Sequence, residues 1–81
     1  MKFSGKNVLI TGASRGIGAQ IAKTLANMGL KVWINYRSKP EIADALQAEI
    51  EQNGGKAAVI KFDATDEDEF IKGINLIVDS D

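Results

Sequence analysis

The apolar residues of this chain alternate between short continuous runs and stretches with helical spacing. The runs at 7–11, 31–36 and 57–62 predict three strands, and the first is apolar enough to be covered on both faces of a sheet. A helical pattern follows each run. The resulting βαβαβα order predicts an α/β fold with a parallel sheet and right-handed crossovers. In a doubly wound sheet of the Rossmann type, these strands lie in the order 3-2-1.

The first predicted helix covers residues 16–28 and ends before Gly29, which stands at the position of a C-terminal cap. Its apolar residues recur every three or four positions, which places them on one face. We expect this face to pack on the sheet. It consists of Ile17, Ile21, Leu25 and Met28.

The second and third helices have recognisable start signals. Ser38 is the predicted N-cap of the second helix, with Pro40 in the first turn and Glu41 completing a capping box, and the helix ends at 53–55. The third helix is predicted to open at Thr65. Its expected buried face consists of Phe70, Ile71, Ile74, Ile77 and Val78.

Length and composition exclude several classes of function. The chain has 81 residues, a formal net charge of −1, no cysteine and no histidine. No disulfide framework, thiolate metal site or histidine base is therefore available, and we predict no metal site. No basic excess points to nucleic acid, and no apolar run approaches the length of a membrane span. Without an apolar signal region after Met1, the default expectation is a cytoplasmic protein.

A glycine-rich turn joins the first strand to the first helix. Residues 11–18 read Thr-Gly-Ala-Ser-Arg-Gly-Ile-Gly. Unpaired N–H groups and the positive end of the helix dipole make such a junction an anion site. Gly12 permits unusual backbone angles, Gly16 permits close approach to a pyrophosphate, and Gly18 permits close packing of helix on strand. The spacing differs from Gly-x-Gly-x-x-Gly and lacks the Gly-Lys-Ser/Thr ending of a triphosphate loop.

This turn resembles the Thr-Gly-x-x-x-Gly-x-Gly motif of the short-chain dehydrogenase/reductase family. The resemblance extends over all 81 residues and is greatest to bacterial 3-oxoacyl-acyl-carrier-protein reductases. It implies that residues 1–81 are the N-terminal part of a single dinucleotide-binding domain. The implied cofactor-lining residues of the turn are Gly12, Ser14, Arg15, Gly16, Ile17 and Gly18.

Two of these residues have specific implied roles. The Ile17 N–H would face the pyrophosphate, and the Ser14 hydroxyl would reach a phosphate or ribose oxygen. Ser14 could instead bond its own backbone, as serine does in many turns.

The end of the second strand indicates the choice of cofactor. NAD-preferring members of the family would carry an acid at Tyr36, whereas this chain has Tyr36-Arg37-Ser38. A guanidinium pairs with a 2′-phosphate that an acid would repel. With Arg15 as a second cation, the resemblance implies NADP and places Tyr36, Arg37 and Ser38 at the cofactor. The alternative is that both arginines are solvated surface charges.

The end of the third strand is the implied adenine site. The resemblance implies that Asp63 accepts a hydrogen bond from the exocyclic amine of adenine. It also implies that the Ala64 backbone contacts the edge of the adenine ring. Asp63 could also simply end the strand while Thr65 caps the next helix, and the two roles are compatible.

No catalytic residue is predicted within these 81 residues. The family's Asn-Asn-Ala-Gly segment, its catalytic serine and its Tyr-x-x-x-Lys pair do not occur, and Tyr36 with Lys39 has the wrong spacing. The resemblance implies that the whole enzyme reduces a 3-oxoacyl thioester with NADPH in fatty-acid synthesis, acting on a substrate carried by acyl carrier protein. The alternatives are a short-chain reductase of another carbonyl substrate, or a non-catalytic nucleotide-binding or assembly module.

The chain alone is expected to be inactive. We also expect self-association as a homo-oligomer, association with the missing remainder of the enzyme, or partial unfolding. The reason is that the backbone of residues 8–10 would lack a neighbouring strand on one side.

Overall fold

The computed structural model describes residues 2–12 and 16–79, with side chains described from residue 5 onward. It contains one four-stranded sheet in the order β1-β2-β3-β4. The elements are β1 (Lys2–Ser4), β2 (Asn7–Thr11), α1 (Gly16–Asn27), β3 (Lys31–Tyr36), α2 (Pro40–Gln52), β4 (Lys56–Lys61) and α3 (Glu67–Asp79). Strands β2, β3 and β4 are parallel, so the predicted 3-2-1 order and the α/β class are confirmed.

Strand β1 is an addition that the hydrophobic pattern did not predict. It runs antiparallel to β2, with Lys2 opposite Leu9 and Ser4 opposite Asn7. A two-residue turn at 5–6 folds the chain back on itself, which gives the outer edge of β2 hydrogen-bonding partners. The prediction that residues 8–10 are unpaired on this side is therefore wrong for residues 8 and 9.

The two faces of the sheet carry separate apolar clusters. Alternate strand residues point to opposite faces, so Val8 and Val32 lie beneath α1 and α2, whereas Leu9 lies beneath α3. Phe62 and Ile77 are buried with Leu9 on the α3 side. Within the described residues, no helix is both long enough and apolar enough to cross a membrane.

Helix α1 meets the sheet through small buried residues, and the larger Ile21 and Leu25 are partly buried against the same core. Ala22 and Ala26 are buried, whereas Ile17 is 81% exposed and Met28 is 70% exposed. The predicted apolar face is therefore only partly correct. Ile17 lies in the first turn, at the end of the helix beside the glycine-rich turn, and Met28 follows the last helical residue.

Helix α2 begins one residue later than a Ser38 cap would require. Lys39 is the N-cap, with φ −118° and ψ 96°, and it makes no side-chain capping bond. A residue before proline is kept extended, so the helix starts directly at Pro40. The predicted Ser38 cap and its capping box with Glu41 are wrong, whereas the predicted position of Pro40 in the first turn is confirmed.

Helix α3 is capped by Asp66 and not by Thr65. The Asp66 Oδ1 atom accepts the Glu69 N–H at 3.2 Å, while Thr65 is engaged by Asp63. The helix turns Gly73 and Ile77 toward the sheet and leaves the predicted core residues Ile71 and Val78 exposed. The packing of Gly73 against the Phe62 ring explains this rotation, because the helix comes closest where it has no side chain.

Candidate functional site

The carboxyl ends of three parallel strands bring the predicted site residues to one edge of the sheet. In register, Thr11 of β2 pairs with Asn35 of β3, and Asn35 pairs with Ile60 of β4. The segments that follow these strands therefore leave the sheet side by side. In open α/β sheets this edge is where ligands bind.

An open pocket of about 260 Å³ lies at this edge. It contains four of the predicted cofactor residues, which are Gly12, Tyr36, Arg37 and Ser38, and three that the sequence analysis missed. The missed residues are Asn35, Lys39 and Ile42. Lys39 and Ile42 come from the start of α2, and their position depends on where that helix begins. Asn35 carried a signal in the sequence, namely a polar amide inside an apolar strand.

The two described glycines at the ends of the glycine-rich turn, Gly12 and Gly16, have positive φ values. Gly12 has φ +68° and Gly16 has φ +55°, a region that L side chains rarely adopt. A Cβ atom added at either glycine would meet nothing within 4 Å, so the space in front of both is open. Helix α1 begins at Gly16, and Ile17 and Gly18 belong to its first turn. Ser14 and Arg15 lie outside the described residues.

Arg37 and Asp63 face each other across the end of the sheet. Arg37 Nε lies 3.8 Å from Asp63 Oδ2, and the Arg37 side chain is largely exposed. At this distance and exposure the pair is weak, so the guanidinium is available to an anionic ligand. The structure thus brings together the two residues that the sequence analysis assigned to the 2′-phosphate and to the adenine ring.

The Asp63 carboxylate is oriented by Thr65. Its Oδ1 atom accepts the Thr65 hydroxyl at 2.6 Å and the Thr65 N–H at 2.9 Å. These hydrogen bonds, the hydroxyl bond first, lower the pKa of Asp63 below its ordinary value of 3.8. Burial opposes this shift, and the charge of Arg37 adds a weaker lowering of the pKa. Oδ2 makes neither of these hydrogen bonds and is the oxygen that lies 3.8 Å from Arg37 Nε. The exposed Ala64 follows directly.

A side chain of α3 accepts a hydrogen bond from the backbone N–H of Asp63. The Asp63 N–H donates to Glu69 Oε1 at 3.1 Å, so the acidic first turn of α3 supports the backbone at Asp63. Among the described residues no group of three or more potential ligands could hold a metal ion. Within the acidic run at 66–69, Asp66 caps α3 and Glu69 accepts the Asp63 N–H.

This edge of the sheet combines groups that bind anions with a hydrogen-bond acceptor. Open space lies before Gly12 at the end of β2 and before Gly16 at the start of α1, where backbone N–H groups attract anions. Cationic Arg37 and Lys39 line the adjoining pocket. The Oδ2 atom of Asp63, which lies 3.8 Å from Arg37 Nε, is an acceptor at the next strand end.

Comparison with known proteins agrees with this geometry. The family model described as short chain dehydrogenase matches residues 6–80. Gluconate 5-dehydrogenase of Gluconobacter oxydans is 46% identical over 75 residues, which cover 93% of this chain and 29% of that protein. The 3-oxoacyl-[acyl-carrier-protein] reductase of Synechocystis sp. is 44% identical over 71 residues, or 88% of this chain and 29% of that protein. The chain thus spans less than a third of the curated relatives it matches.

Solved structures give the same result. A dehydrogenase/reductase from Sinorhizobium meliloti superposes with a TM-score of 0.88 at 42% identity, covering 96% of this chain and 31% of that one. A metagenomic short-chain oxidoreductase in complex with NADP superposes with a TM-score of 0.78 at 37% identity, covering 90% of this chain and 34% of that one. Because a family model covers nearly the whole chain and the fold superposes on its members, this chain belongs to the short-chain dehydrogenase family.

Proposed function

We propose that this chain binds NADP(H) as the cofactor-binding part of a short-chain oxidoreductase. The observation that carries the proposal is the charge of the pocket after β3. Its lining, which lies entirely within the described residues, includes Arg37 and Lys39 and no carboxylate. A 2′-phosphate is favoured by such a lining, and the acid that would hold an unphosphorylated ribose is replaced by Tyr36.

The family assignment supports a nicotinamide cofactor, and one structurally similar protein was solved in complex with NADP. In the proposed arrangement, Ile17 at the start of α1 presents its N–H to the pyrophosphate. The residues of this chain then bind and orient the cofactor from the phosphate and adenosine side. The cofactor supplies hydride to the substrate when bound.

For the whole protein we propose reduction of a 3-oxoacyl thioester to a 3-hydroxyacyl thioester in fatty-acid synthesis. The support is the resemblance of the glycine-rich turn and the 44% identity to the Synechocystis reductase. A different carbonyl substrate is the main alternative, because gluconate 5-dehydrogenase is 46% identical over a similar span. Under the proposal, the substrate is carried by acyl carrier protein, and the chain associates with further sequence or with copies of itself.

Cofactor choice is tested by replacing Arg37 with alanine and titrating NADPH and NADH. Loss of a charge-assisted hydrogen bond should weaken NADPH binding by about 1–3 kcal/mol and leave NADH binding nearly unchanged. Lys56→Ala is the matched control, because it removes an exposed positive charge at the opposite edge of the sheet, where β4 begins. An equal loss with both cofactors, or the same effect from Lys56→Ala, would contradict the assignment.

The substrate proposal is tested on the complete gene product. Acetoacetyl thioester and gluconate-type substrates are compared under the same conditions with NADPH. Preferential turnover of the thioester supports the proposal, and preferential turnover of a sugar acid supports the alternative. A reading frame that stops at Asp81, without Tyr-x-x-x-Lys, would favour a binding or assembly module.

A further inference from the structure

Asn35 is a buried amide at the carboxyl end of the central parallel strand. It is 6% exposed, although its strand neighbours Val32 and Ile34 are apolar core residues. Its Nδ2 group donates to the carbonyl oxygens of Phe62 at 3.0 Å, of Ile60 at 3.3 Å and, more weakly, of Tyr36 at 3.4 Å. Two of these three acceptors belong to the segment containing β4, so the amide joins the ends of two neighbouring strands.

The acceptors of this amide are backbone carbonyls, which no side-chain substitution removes. An apolar residue at position 35 would leave the Phe62 carbonyl without the Asn35 donor and would therefore destabilise the fold to some extent. Because these hydrogen bonds join β3 to the segment after β4, they also control where the two strand ends lie relative to each other.

The Asn35 side chain extends the pairing of β3 and β4 past the last strand residues. The register of the two strands ends with Tyr36 opposite Lys61. Beyond it, Phe62 is held twice, because its N–H donates to the Tyr36 carbonyl at 3.1 Å and its own carbonyl accepts from Asn35. Phe62 directly precedes Asp63. The Asn35 amide is thus hydrogen-bonded to the residue immediately before Asp63.

Asn35 is also near Arg37, on the other side of the site from Asp63. It stands two residues before Arg37 and lines the same pocket. Arg37 and Asp63 lie 3.8 Å apart at their nearest charged atoms. A ligand that contacts both residues depends on their separation, whereas a ligand that contacts one of them does not.

We infer that Asn35 is a positioning residue that fixes the spacing between Arg37 and Asp63, so that one NADP(H) molecule engages both. This inference rests on the proposed cofactor function. NADPH carries both the adenine and the 2′-phosphate and would contact both Asp63 and Arg37. NADH lacks the phosphate and would contact only Asp63. Asn35 is therefore a determinant of the preference for NADPH over NADH.

Asn7 provides a matched control within the same sheet. It is also a buried asparagine, at 5% exposure, but it lies at the amino end of β2, away from the pocket. Its Oδ1 atom accepts the Trp33 Nε1–H at 2.9 Å. Loss of a buried amide in general should affect Asn7→Leu and Asn35→Leu alike. Loss of pocket spacing should affect only the latter.

The experiment measures Kd for NADPH and for NADH in the complete gene product. Asn35→Leu is expected to raise the Kd of NADPH about tenfold and that of NADH by less than about threefold, within the range of effects for residues coupled through shared contacts. Partial unfolding raises both apparent Kd values by the same factor, so their ratio reports the pocket alone. Asn7→Leu is expected to leave the ratio unchanged.

Additional variants make the result decisive. Asn35→Thr keeps one donor and should recover part of the ratio, while Asn35→Ala provides the same test without a bulky side chain if Asn35→Leu does not fold. In an Arg37→Ala background, Asn35→Leu should produce no further change in the ratio. An unchanged ratio in Asn35→Leu or Asn35→Ala would overturn the positioning role alone. A wild-type protein that binds neither cofactor would instead overturn the proposed function.

Discussion

Replacing Gly73 with alanine sets two opposing effects against each other in the middle of α3. A Cβ atom at Gly73 would lie 2.6 Å from Phe62 Cε2 and 2.8 Å from Phe62 Cδ2. Carbon atoms pack at about 3.5–4.0 Å, so the ring or the helix must shift. Against this, alanine is favoured over glycine by about 0.8–1.0 kcal/mol inside a helix.

The surroundings of Phe62 decide which effect is larger. The ring is buried and packs edge-on against Phe70, with ring centroids 5.9 Å apart and an interplanar angle of 84°. Overpacking of a filled core costs about 1–3 kcal/mol. After subtracting the gain in helix propensity, we expect Gly73→Ala to destabilise the protein by about 1 kcal/mol.

The assay compares urea unfolding and thermal melting of the wild type and the variants, all prepared as chains of the same length. A loss of about 1 kcal/mol corresponds to a decrease in Tm of about 4–8 °C for a domain of this size. Phe62→Leu serves as the partner in a double-mutant cycle, because it removes the ring atoms that the new methyl group would meet. In that background Gly73→Ala should become neutral or stabilising. Stabilisation of the wild type by Gly73→Ala would refute the close approach of α3 to Phe62.

Three further predictions concern the site. Gly12→Ala places a side chain at φ +68° and should cost about 1–2 kcal/mol of stability and weaken NADPH binding in calorimetric titration, so an unchanged variant would contradict the loop geometry. Thr65→Val removes the strongest cause of the lowered Asp63 pKa, so a carboxyl NMR titration should show that pKa moving back up toward 3.8, and an unmoved pKa would refute the hydrogen bond. Because folding lowers this pKa, the stability contributed by ionised Asp63 is fully present above the ordinary pKa and is lost as the pH falls through the lowered value. The purified 81-residue chain should show no turnover of acetoacetyl thioester with NADPH. Measurable turnover would show that these residues include a catalytic proton donor.

The features that the sequence predicted correctly are those set by local pattern. The three parallel strands follow from short apolar runs, of which the first, β2, is buried on both faces. The positive φ at Gly12 follows from the need to leave the strand in a tight turn, where glycine has no steric penalty. Such features depend on neighbours in sequence, so one chain is enough to identify them. The assignment of cofactor contacts to individual residues stays a prediction.

The two mispredicted helix caps were decided by close neighbours in the chain. Ser38 has the chemistry of a cap, but Pro40 fixes the helix start and leaves Lys39 extended as the N-cap, and both Ser38 and Lys39 line the pocket. Thr65 also has the chemistry of a cap, but its hydroxyl donates to the Asp63 carboxylate two residues earlier. In each case two local solutions competed within a few residues, and the cap-forming residue type alone did not decide between them.

The buried asparagines illustrate where a sequence pattern stops being informative. Asn35 interrupts an apolar strand and Asn7 begins one, and the sequence alone gives no cause for either amide. Only the sheet register separates them. It places Asn7 at the amino edge beside Trp33, and Asn35 at the carboxyl edge between the segments that carry Arg37 and Asp63. A polar residue in a buried strand is thus a reason to ask which edge of the sheet it occupies, because in this fold the ligand site lies only at the carboxyl edge.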